Sequence, residues 1–187
     1  SAAIAEYRKS WSEATELLKP LSAQDPDNSN VVSRLSRSLF KSGKPDEALE
    51  LLQKHWNKNK TNTQRPEITL AILYQEANDL NKAEDLMVAA SELDLSNAGN
   101  QTTVARWALE NGKLELAKKC VERAFKAEPT LETKLLSALV ARYQEDYGTA
   151  KTILEAAHLE SPANLGIILE LAIALSNIKG EENRGLQ

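Results

Sequence analysis

Cys120 is the only cysteine in the chain, so no internal disulfide can form, and one thiol assigns no redox compartment. Aromatic residues are sparse, at 5%. No stretch approaches the roughly 20 apolar residues that a membrane-spanning helix needs, so no membrane insertion is expected. The opening SAAIAEYRKSW lacks an apolar core behind a basic end and is not a secretory signal; it reads as the start of an excised piece. Positive charge is not in excess. Lys and Arg number 23 against 27 Asp and Glu, a net charge of −4. A nucleic-acid surface needs a basic stripe to neutralise phosphates, and this balance opposes one. Phosphate loops, paired-glycine motifs and nucleophile elbows are also missing.

What the chain does have is a recurrence of small residues. Ala14, Ala48, Ala83, Ala117 and Ala150 are separated by 34, 35, 34 and 33 residues. Each follows another small residue by twelve positions: Ala2, Ser36, Ala71, Ala105 and Ala138. Paired small side chains at this period predict helix–turn–helix units whose two helices cross closely. The helical spacing supports this. Val31, Val32, Leu35 and Leu39 fit one helix, GKPD (43–46) a tight turn, and Ala48, Leu51, Leu52 and Trp56 the next. NDLN (78–81), NGKL (111–114) and EDYG (145–148) are read as the equivalent turns.

The spacing places a partial unit at 1–27, full units at about 28–62, 63–96, 97–129 and 130–163, and a partial unit at 164–187. Pro26, Pro129 and Pro162 are expected near first helical positions, with Asp25 and Ser161 as N-caps. The polar segment 57–67 reads as a solvated loop. Both ends read as cut within a unit. LGIILELAIALSNI (165–178) is very apolar for a helix without its partner, so self-association through this truncated C-terminal end is expected.

Alanine or serine at each crossing allows the close end of the usual 8–10 Å interaxial range. Larger residues one turn away then interlock: Leu35 and Leu39 with Leu52, Leu70 and Tyr74 with Met87, Val104 and Ala108 with Val121. A third small position, at Ala90, Ala124 and Ala157, lets the following helix dock, and His55 stands in that place in one unit.

Through Leu35-Ser36, Leu70-Ala71-Tyr74, Val104-Ala105, these alanines and Pro26, Pro129 and Pro162, nearly the whole chain resembles the tetratricopeptide repeat (TPR) family. Departures fall at Glu67, Gln101, Lys134, Lys60 and Leu95. The resemblance implies an all-α, α-solenoid fold, a right-handed superhelix of antiparallel helix pairs whose first helices line a concave, peptide-holding groove. Carried onto this chain, the groove set is Ser33, Arg37, Phe40, Lys41, Ile72, Gln75, Thr102, Arg106, Leu109, Leu135, Leu139, Arg142, Tyr143, Leu169 and Ile173. Arginine offers a planar fork suited to carboxylates, so a peptide with acidic and apolar side chains is the expected partner. The plainer reading is that Arg37, Arg106 and Arg142 keep a surface soluble or pair with Glu110 and Glu145. The carboxylate-clamp residue set of some family members is not matched, since Ser33, Arg37, Thr103 and Leu135 occupy comparable positions.

No catalytic residue, metal or cofactor is expected. His55 and His158 lack neighbours at metal spacing and read as partly exposed helix-end side chains. Cys120 reads as an inert packed thiol, although nearby lysines favour a thiolate. The acidic second helices read as a solvated outer face. The leading function is a non-enzymatic protein–protein interaction or scaffold module. Alternatives are a regulatory segment of a larger enzyme or assembly protein, an RNA-binding helical repeat and a self-assembly segment.

Overall fold

In a computed structural model, residues 1–58 and 64–178 are described, and all regular structure among them is helical. The chain divides into two compact units, Ser1–Ala90 and Ser91–Gln187.

The first unit stacks α1 (Ala2–Tyr7), α2 (Trp11–Gln24), α3 (Ser29–Lys41), α4 (Pro45–Lys58), α5 (Pro66–Glu76) and most of α6 (Leu80–Leu93). The small residues expected at its crossings are all inside. Ala14, Ser36, Ala48, Ala71 and Ala83 are fully buried. Leu18, Leu35 and Leu39 close around Ala2 and Ala48, with Phe40 and Leu51 packed against them. Full burial of such side chains contributes about 1.5–3 kcal/mol each.

The second unit continues with α7 (Ala98–Glu110), α8 (Leu114–Ala127), α9 (Leu131–Tyr143), α10 (Tyr147–Glu160) and α11 (Leu165–Asn177). Ala105, Ala117, Ala124, Ala150 and Ala157 are fully buried and Ala138 nearly so. Its last core cluster is mostly alanine: Ala138, Ala141, Ala150, Ala157 and Ala174, around Leu154 and Ile167.

The turns repeat as regularly as the crossings. Lys9, Gly43, Asn78, Gly112 and Glu145 all have φ between 57° and 83°. Each turns the chain between the helices of a hairpin with the same bonding: Asp146 N–H donates to the Ala141 carbonyl as Lys113 does to Ala108 and Lys44 to Leu39. A side chain held in this left-handed region costs about 1–2 kcal/mol against glycine. Glu145→Gly is therefore expected to stabilise the second unit by about 1 kcal/mol, less the extra entropy glycine has when unfolded, as read by urea unfolding.

The helix starts correct the expected caps. Asp25 and Ser161 end helices α2 and α10 rather than begin their successors. The N-caps are Asn28, Asn97, Thr130 and Asn164, whose side chains accept hydrogen bonds from backbone N–H groups inside the next helix. Pro26, Pro129 and Pro162 lie before these caps, in the connections, where a missing N–H is harmless. Pro45 and Pro66 are the prolines that open helices.

The 57–67 segment is also corrected in part. Asn57 and Lys58 extend α4, and Pro66 and Glu67 begin α5. Arg65 and Glu67 are buried, their charges joined by Arg65 Nε donating to Glu67 Oε2 at 3.0 Å. The Arg65 guanidinium lies 4.6 Å from the centre of the Trp56 ring. Burial is tolerated because the charge has both a carboxylate and an aromatic face. The rest of the expected loop, 59–63, falls outside the described residues.

Candidate functional site

The first helices carry the candidate surface, and it is taken unit by unit. In the first unit, Ser33, Arg37 and Ile72 line a cleft of about 640 Å³ together with Glu6, Trp11 and Arg34. Arg37 Nη2 donates to Glu76 Oε1 at 2.8 Å, and Lys41 Nζ stands 3.7 Å from the other oxygen of that carboxylate. Arg34 forks onto Glu6, with its Nε 3.1 and 3.2 Å from the two carboxylate oxygens. Hydrogen bonding to Glu6 holds the Arg34 pKa above its ordinary value. Phe40 is half-buried and meets Tyr74 edge-on, with centroids 4.8 Å apart. Ile72 is exposed, and Gln75 is half-buried.

In the second unit, Arg106 on α7 is exposed and pairs with Glu132 on α9. Arg142 on α9 pairs with Glu170 on α11, Nε to Oε2 at 2.8 Å, and its guanidinium lies 4.6 Å from the Tyr143 ring centre. Thr102 is buried beside Arg106 in a polar cleft of about 440 Å³ that Glu128, Thr130 and Thr133 also line. Leu109, Leu135, Leu139 and Ile173 are half-buried, and Leu135 packs against the alanine-rich core. Tyr143 and Leu169 are exposed, as are Leu165 and Ile168 beside Leu169 on α11.

The three arginines thus have acidic partners other than the anticipated Glu110 and Glu145. Each pairs with a carboxylate on the neighbouring first helix: Glu76, Glu132 or Glu170. The result is a rung of opposite charges between successive first helices. The two exposed pairs, Arg37–Glu76 and Arg106–Glu132, contribute about 0.2–1 kcal/mol each, whereas Arg142–Glu170 is half-buried. They also mean that an incoming carboxylate competes with one already present.

The second helices behave differently. Glu92 is held below the usual carboxylate range, first by Lys119 at 2.7 Å and then by Arg123, which also donates to the Ser91 carbonyl. The Cys120 thiol is fully buried, and burial pushes its pKa up to about 11. Desolvation outweighs the neighbouring cations that the sequence brings to mind. Trp107 is a core residue. His55 is not a partly exposed end residue. It is buried, with Nε2 3.2 Å from Ser29 Oγ and Nδ1 3.2 Å from the Pro26 carbonyl. Among the described residues, no group of three or more His, Cys, Asp or Glu side chains is placed to hold a metal. Nor is any helix of the described residues long and apolar enough to cross a membrane.

Closely crossed helical hairpins, joined by a left-handed turn residue and linked by charges on their first helices, define a helical-repeat protein. Residues 7–66 match a tetratricopeptide repeat model, which spans two of the alanines of the period, Ala14 and Ala48. Two solved structures share the fold. One is a tetratricopeptide repeat protein from Parabacteroides merdae, with a TM-score of 0.61 at 15% identity, covering 99% of this chain and 73% of that one. The other is the C-terminal part of a TPR repeat-containing protein from Cytophaga hutchinsonii, with a TM-score of 0.59 at 16% identity, covering 98% and 74%. No curated protein matches the chain in sequence. The fold class is all-α, of the α-solenoid type.

Proposed function

We infer that the chain is a protein–protein interaction module, and that the first-helix face of each unit receives a segment of another protein carrying acidic and apolar side chains. The observation that carries this reading is the makeup of that face. Exposed apolar side chains, Ile72 in the first unit and Tyr143 and Leu169 in the second, alternate with guanidinium groups held in place by Glu76, Glu132 and Glu170. A pre-positioned arginine loses less side-chain entropy on binding than a free one. At Arg37 and Arg106 the internal carboxylate sets the threshold: a ligand must offer better geometry than a solvent-exposed pair.

This gives a test that separates a ligand-binding arginine from one that only solubilises the surface. A fluorescein-labelled acidic–apolar peptide, selected against the intact chain from a displayed random library, is the probe. Glu132→Gln removes the internal competitor of Arg106 and is expected to tighten binding by about 2–5-fold, the range set by a surface ion pair. Arg106→Glu is expected to weaken it by about tenfold and to flatten its salt dependence. If neither substitution changes the affinity measured by fluorescence anisotropy, Arg106 is outside the binding surface.

A further inference from the structure

The first unit carries a second cleft of different chemistry. A cleft of about 440 Å³ runs between second helices α2 and α4, with α3 beneath it. Its floor is apolar: Val32 and Leu35 are buried there, beside Leu51. Its rim is cationic, formed by Lys19 of α2 and by Lys54 and Lys58 of α4, and Ser22 and His55 add polar atoms. No carboxylate among the described residues lines it. The nearest acidic partners are loose and lie outside the lining: Glu16 stands 3.6 Å from Lys19 and Asp27 3.8 Å from Lys58. Lys54 has no ion-pair partner among the described residues.

A solvated outer face would show such lysines throughout the array, and this one does not. In the repeat register, the rim positions lie five residues after one crossing alanine and six and ten after the next. For the following pairs of second helices they are Gln53, Ala89 and Leu93, then Val88, Arg123 and Ala127, then Glu122, Ala156 and Glu160. The last set is acidic where the first is basic, and its Glu160 is engaged by Lys134. The whole chain carries a net charge of −4, so three ammonium groups around one apolar floor run against its general balance.

We propose that this cleft docks an acidic peptide segment, which sets one apolar side chain on Val32, Leu35 and Leu51 and its carboxylates against Lys19, Lys54 and Lys58. Charge complementarity selects the segment and steers its approach, and the apolar floor supplies the anchor. A bare phosphate would meet the rim and leave the floor unused. The site shares no residue with the first-helix face, so it stands or falls apart from that reading.

The experiment is an NMR titration of the intact, ¹⁵N-labelled chain with the peptide Ac-EELFEE-NH2, and separately with inorganic phosphate. Saturable shifts are expected in amides of residues 19–26 and 51–58. Affinity is expected to fall about tenfold in Lys54→Glu/Lys58→Glu, and severalfold when salt rises from about 50 to about 300 mM. Replacing Leu-Phe of the peptide by Ser-Ser is expected to weaken binding, and Arg106→Glu to leave it unchanged. Lys54→Gln/Lys58→Gln provides a milder pair, should reversal disturb the helix. The proposal is overturned if the peptide shifts no amides in these ranges, if both lysine pairs bind it as the parent does, or if phosphate alone saturates the cleft and the peptide does not.

Discussion

Ile167→Ala is expected to destabilise the second unit by about 3–5 kcal/mol, the upper part of the range for such truncations. Ile167 is fully buried, and its cluster consists of Leu154 and five alanines: Ala138, Ala141, Ala150, Ala157 and Ala174. Ile167 and Leu154 are its large buried side chains, and Leu131, Leu135, Ile153 and Leu171 pack against it only partly buried. Alanines cannot swing a rotamer into a vacated space, so only those partly buried side chains can relax toward it, and much of the cavity persists. Against a typical stability of 5–15 kcal/mol, such a loss is large. Urea unfolding followed by far-UV circular dichroism measures it, with Ile167→Val as the control expected to cost about 0.5–1.5 kcal/mol. A loss below 1 kcal/mol for the alanine variant would show that α11 contributes little to its unit.

Ala117→Leu is expected to cost about 1–3 kcal/mol by the opposite mechanism. Ala117 on α8 and Ala105 on α7 are both fully buried, and the two helices pack against each other. Three added heavy atoms have no space there, so the helices must separate. Because repeat units contact only their neighbours, the damage should stay local. Amide exchange is expected to accelerate in α7, α8 and α9, while α2, α3 and α4 keep their protection. Uniform acceleration along the chain would contradict this locality.

The alanine period made the hairpins legible because close crossing is a backbone requirement. Only small residues satisfy it, so it leaves a mark at fixed positions. The left-handed turn residue left a weaker mark, since Gly43 and Gly112 announce it but Lys9 and Glu145 do not. The caps lie three residues beyond the expected positions, at Asn28 and Asn164. Asp25-Pro26 resembles a helix start, yet Asn28 can place its side-chain oxygen on the Val31 N–H only after the turn is complete.

The candidate surface was less legible. The groove set followed from helical phase and the family resemblance, and phase does not report where long side chains end. Arg37 and Glu76 are 39 residues apart, Arg106 and Glu132 only 26, and neither separation is a multiple of the repeat. Partners depend on rotamers and on the offset between adjacent helices, which periodicity does not encode. The buried Arg65–Glu67 pair was hidden by its composition, since charged residues near a proline resemble solvated loop. The lysine rim was visible in principle, by aligning second helices on their alanines and comparing charge at each position.

Cys120 offers a use of its own. With its sulfur buried beneath α8 and the thiolate suppressed at neutral pH, an alkylating reagent can modify it only when the surrounding helices open. The modification rate is therefore a stopwatch for opening of the second unit, readable by mass spectrometry without introducing any label.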